Sequence, residues 1–89
     1  MRGTPNWVSP EIAQGVQYSK EVDVWAYGCF AYELATGSPP FANIKKRSDL
    51  LDSIVNKPVP RIPDRWSDTF QDFIDQCLKK KPKDRFSIE

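Results

Sequence analysis

The chain has 89 residues and a formal net charge of +1, which bounds it to one small domain with no global field for nucleic acid or a membrane surface. No run reaches the ~20 apolar residues of a membrane-spanning helix. With 0 histidines, Ser-His-Asp and Cys-His catalysis are excluded and the commonest metal ligand is missing; the scattered glycines form no phosphate-cradling loop.

The opening loop contains "GTPNWVSPE", from Gly3 to Glu11. Ser9 as N-cap, Pro10 at the first helical position and Glu11 at the positive end predict a short helix over residues 10–14, ended by Gly15. The next segment, "SKEVDVWAYGCFAYELATG", predicts the strongest helix, over 19–37, with Ser19 as N-cap and Gly37 as its stop. Its core is apolar almost all round, the pattern of a helix wrapped on every side. So short a chain hardly supplies that wrapping, which predicts an exposed apolar patch.

A third helix is predicted over 46–56, with Leu50, Leu51, Ile54 and Val55 on one stripe. "KPVPRIP", residues 57–63, contains three prolines and must be an extended connector. Phe70, Phe73, Ile74, Cys77 and Leu78 then recur at i, i+3, i+4, i+7 and i+8, predicting an amphipathic helix over 67–78 capped by Ser67. Pro82 stops that run, and a further helix is expected from Asp84 onward. The basic run Lys79, Lys80, Lys81, Lys83 and Arg85 reads as a solvated helix end. Cys29 and Cys77 sit in apolar helical patterns without metal-ligand spacing, which predicts two buried thiols in a reducing, cytoplasmic setting. The reading is all-α: a central apolar helix, three shorter helices and proline-rich connectors.

"GTPNWVSPE", "DVWAYGCFAYELATGSPPF" and "KPKDR", in that order, resemble the lower half of the large lobe of a eukaryotic protein kinase. Gly-Thr-Pro resembles the Ser/Thr kinases, and "RWSDTFQDFIDQCLKKKPKDR" is similar to the sterile-twenty group, in particular its germinal-centre branch. The resemblance implies that residues 1–89 run from the end of the activation segment to the start of the last helix of an α+β parent domain. Pro5 and Val8 would then line the pocket for the residue after the phosphoacceptor, and Thr4 would bond the catalytic loop. Ser9-Pro10-Glu11 matches the Ala-Pro-Glu motif, with Ser9 in place of alanine. Glu11 would pair with Arg85. Asp23 would hold catalytic-loop amides, while Trp25 and Gly28 match the other marks of the central helix.

The family's glycine-rich loop, strand lysine, His-Arg-Asp loop and Asp-Phe-Gly metal site have no counterpart in these residues. No catalytic residue and no cofactor is therefore assigned to this segment, ATP and Mg being expected for the complete domain. The segment reads as a kinase fragment, inactive alone, that carries the substrate-docking loop and scaffold. Whether Met1 is a true start or a truncation stays open. The expected partners are protein Ser/Thr segments and regulatory proteins, with no nucleic acid and no membrane. The alternative is a non-catalytic module that binds kinase substrates or partners; a generic helical domain would not produce three motifs in order.

Overall fold

The structure is a computed structural model that describes residues 7–85. Four α-helices follow in chain order: α1, Pro10–Ala13; α2, Glu21–Thr36; α3, Arg47–Asn56; and α4, Asp68–Cys77. A 3-10 turn, Pro82–Asp84, closes the described chain, which contains no strand.

Local chemistry sets most of the boundaries. The Ser9 hydroxyl accepts from the Ile12 amide and the Ser67 hydroxyl from the Phe70 amide, so both serines cap the helices that follow them. Gly37 stops α2 in the left-handed region, at φ 89°, with its amide on the Glu33 carbonyl. The start of α2 departs from expectation. Its N-cap is Lys20, with no side-chain cap, and the Ser19 hydroxyl donates instead to the Glu21 carboxylate. The helix expected from Asp84 does not begin at that residue. Asp84 ends the 3-10 turn and Arg85 is extended, at ψ 161°, because Arg85 is drawn inward, as described below; residues 86–89 lie outside the described residues.

The core centres on the crossing of α2 with α4. Trp25, Cys29 and Tyr32 of α2 are buried with Ile74 and Cys77 of α4, joined by Leu50 and Ile54 of α3 and by Ile62. The crossing is tight at Gly28, where a Cβ would stand 2.6 Å from the Cys77 Cβ. α3 packs in turn against α1. The proline connector is buried at Ile62, whose amide donates to Gln71 Oε1 at 3.0 Å. The Trp66 indole then reaches back to the Ala35 carbonyl at 3.1 Å, satisfying one of the orphan acceptors at the end of α2.

The central helix is not wrapped on every side. Val24, Trp25, Gly28, Cys29, Ala31, Tyr32 and Ala35 are buried, whereas Tyr27, Phe30 and Leu34 stay 56%, 54% and 66% exposed. These three fall at i, i+3 and i+7, one stripe along the far side of α2.

Candidate functional site

The start of α1 is tied to the end of the described chain by an ion pair. Arg85 Nη1 and Nη2 donate to the two Glu11 carboxylate oxygens, each at 2.7 Å. This is the parallel two-bond fork that suits guanidinium and carboxylate. The remaining donors are used as well: Nε goes to the Lys79 carbonyl at 2.8 Å, Nη1 to the Glu21 carbonyl at 2.9 Å and Nη2 to the Lys80 carbonyl at 3.3 Å. The guanidinium also lies 5.2 Å from the Trp25 ring centroid. Both side chains are almost fully buried, so the pair stands or falls as a unit. Burial pushes the Glu11 carboxyl up, but the Arg85 hydrogen bonds, with help from backbone and Ser9, outweigh it and hold Glu11 below its ordinary value of 4.5.

Arg85 thereby joins three segments: the start of α1 through Glu11, the start of α2 through the Glu21 carbonyl, and the chain after α4 through the Lys79 and Lys80 carbonyls. Above this junction the loop leaves through Ser9, which is buried, to the half-buried Val8 and Trp7. The Trp7 ring rests against Phe30 of the α2 stripe, centroids 6.3 Å apart.

Lys80 corrects the reading of the basic run as a solvated helix end. Its ammonium donates to the Ile54 carbonyl at 2.5 Å and the Ser53 carbonyl at 3.4 Å, at the C-terminal end of α3, where unpaired carbonyls and the helix dipole favour a cation. It also lies 5.7 Å from the Trp25 centroid and 5.4 Å from that of Phe41. Burial pulls its pKa down to about 8. Phe41 holds its place with a positive φ of 61°, a rare conformation for a bulky residue. Two of the five cations, Lys80 and Arg85, therefore face inward and bracket Trp25.

Of the remaining residues singled out from sequence, Thr4 and Pro5 lie outside the described residues. Asp23 is exposed in the first turn of α2. Trp25 is 1% exposed, and its indole N–H has no hydrogen-bond partner among the described residues. Sequence reasoning missed Lys80, Trp66 and Gln71. Lys80 and Trp66 act on backbone groups more than 20 positions away and Gln71 on the Ile62 amide across the connector, and no local pattern distinguishes them from surface residues. Cys29 and Cys77 are buried thiols not joined in a disulfide, and desolvation raises them to about 12 and about 11, with no route to easy ionisation.

The buried Glu–Arg fork beneath a proline-flanked loop, with a central helix bearing Trp25 and Gly28 behind it, is the lower architecture of a protein kinase lobe. The model of the protein kinase domain family matches residues 1–89, and the chain belongs to that family. It is 41% identical over 87 residues to the serine/threonine-protein kinase ppk11 of Schizosaccharomyces pombe, covering 98% of this chain and 28% of that protein. It is 42% identical to the serine/threonine-protein kinase KIC1 of Saccharomyces cerevisiae, covering 100% of this chain and 8% of that protein. It is likewise 42% identical to the serine/threonine-protein kinase hippo of Drosophila melanogaster, covering 93% and 13%. These relatives and the motif order place it as a fragment of a Ser/Thr kinase of the sterile-twenty group. The chain spans less than a third of the length of the curated relatives it matches.

Proposed function

We propose that this segment seats the protein substrate in a Ser/Thr kinase domain and braces the lobe beneath it. The observation that carries this reading is the buried Glu11–Arg85 fork, which ties the loop leading to Val8 to the starts of α1 and α2. A peptide-receiving loop must be held within a fraction of an ångström to align a hydroxyl for in-line transfer. A salt bridge with every donor engaged supplies that rigidity. Val8, with Pro5, lines the pocket beside the phosphoacceptor, Thr4 bonds the catalytic loop, and Asp23 presents its carboxylate to amides of the same loop.

The family uses ATP and Mg in the complete domain, where they supply the phosphoryl group for transfer to a Ser or Thr hydroxyl. We assign neither one a seat in this segment. No group of three or more His, Cys, Asp or Glu among the described residues is placed to hold a metal ion, and the chain has no glycine-rich phosphate loop. Its role is positional. The exposed stripe of Tyr27, Phe30 and Leu34 is the seat for the rest of the domain, since an apolar row of this kind is stable only when covered. No helix among the described residues is long and apolar enough to cross a membrane, and the two buried thiols, not joined in a disulfide, suit a cytoplasmic kinase.

Two measurements test the proposal. Calorimetric titration of MgATP into the 89-residue chain is expected to give no saturable heat; a measured affinity would overturn the division of labour. In the complete domain, Val8→Arg is expected to raise KM for a peptide substrate about tenfold with kcat nearly unchanged, the mark of lost uniform binding. An effect confined to kcat would remove Val8 from the substrate pocket.

A further inference from the structure

The fold absorbs two cations of the basic run and leaves others outside. Lys81 and Lys83 are exposed, and their side chains make no hydrogen bond or ion pair among the described residues. Both line an open cleft of about 540 Å³ whose opposite wall is formed by Tyr18, Ser19 and Glu21. That volume lies in the range of ligand-binding clefts. Arg85 fixes both walls, because it donates to the Glu21 carbonyl on one side and to the Lys79 and Lys80 carbonyls on the other.

We infer that this cleft is a docking groove for an acidic peptide segment of a partner protein. Charge selects the occupant: among the described residues, two ammonium groups without a hydrogen-bond or ion-pair partner stand against one lining carboxylate, that of Glu21, which already accepts from the Ser19 hydroxyl. The hydroxyl bond keeps Glu21 below the ordinary carboxylate value, so it neither seeks a new partner nor loses its charge near neutrality. The Tyr18 ring, 59% exposed, and Pro82 give the groove apolar surface that a small anion would not use. A peptide with carboxylates for the lysines and a side chain to lie on Tyr18 uses both. The groove shares no residue with the loop at Val8, and the inference does not depend on the proposed role of that loop.

Fluorescence anisotropy tests it on the complete kinase domain that contains this segment, each variant being checked for native circular dichroism. The probes are a labelled decapeptide alternating glutamate and glycine around one phenylalanine, and its lysine counterpart. The glutamate peptide is expected to bind saturably and the lysine peptide not to bind. Lys81→Glu with Lys83→Glu should weaken the glutamate peptide about tenfold and create binding of the lysine peptide. Lys45→Glu with Lys46→Glu, exposed elsewhere, should change neither. The inference is overturned by absence of saturable binding, by equal losses from the two lysine pairs, or by tighter binding of an oligouridylate than of the acidic peptide. The last result would make the surface one for nucleic acid.

Discussion

Gly28 lies against Cys77 so closely that a methyl group on its Cα would stand 2.6 Å from the Cys77 Cβ and 2.7 Å from the Leu78 Cδ2. An alanine there gains about 1 kcal/mol of helix propensity, but it must push α4 off α2. We expect Gly28→Ala to destabilise the fold by about 1–3 kcal/mol net, read as a lower denaturant midpoint. A stabilised variant would show that the crossing yields easily.

Removing one partner of the buried fork leaves the other charge without compensation. Arg85→Ala or Glu11→Ala is expected to cost about 3–5 kcal/mol and to speed amide exchange in α1 and at the start of α2. Arg85→Lys should recover little, since an ammonium cannot serve both Glu11 oxygens and three carbonyls from one position. Exchange unchanged in α1 would separate the pair from the loop.

The pair also gives an acid-side dependence. Glu11 titrates below its ordinary 4.5 in the folded chain, so its contribution is complete above the unfolded value and is lost as pH falls through the folded one. Glu11→Gln should flatten this part of the stability profile, measured as midpoint against pH.

Lys80 acts on the alkaline side with the opposite slope. Its pKa falls from 10.5 to about 8 on folding, so between these values the unfolded chain holds more protons and stability rises with pH. Below about 8 the fold carries a half-buried ammonium, offset by the α3 carbonyls and the Trp25 and Phe41 rings. Lys80→Met should abolish the alkaline rise and speed exchange in the last turn of α3. A rise that survives the substitution would assign it to another group.

Trp66→Phe keeps a ring beside Phe70, now 5.2 Å between centroids, and removes the donor to the Ala35 carbonyl. The expected loss is about 0.5–1.5 kcal/mol, seen in the denaturant midpoint. A neutral result would mean that Arg65, 3.5 Å from the same oxygen, takes over.

Where the apolar period was clean, the sequence was readable. α4 follows from Phe70, Ile74 and Cys77 with Ser67 in front, and the prolines of 57–63 leave no choice but an extended connector. α2 was readable as a helix but not as an oriented one. Its residues are apolar on every face, so periodicity could not say that Trp25 and Cys29 turn inward while Tyr27 and Leu34 turn out; the close approach at Gly28 decides that. Five cations between 79 and 85 look alike locally, yet Lys80 is drawn in by α3 carbonyls more than 20 residues away. No local signal joins Glu11 to Arg85 either, 74 positions apart; only the family resemblance suggested it. Thr4 and Pro5 lie outside the described residues.

The span of that pair has a kinetic consequence. Closing a loop of 74 residues carries a chain-length cost of about 4 kcal/mol, which no local contact offsets before α2 and α4 have met. The fork is thus a late event on the folding path, and its energy appears almost wholly in the unfolding rate. The side chain that fastens the first helix to the last turn is therefore less a guide to folding than a brake on coming apart.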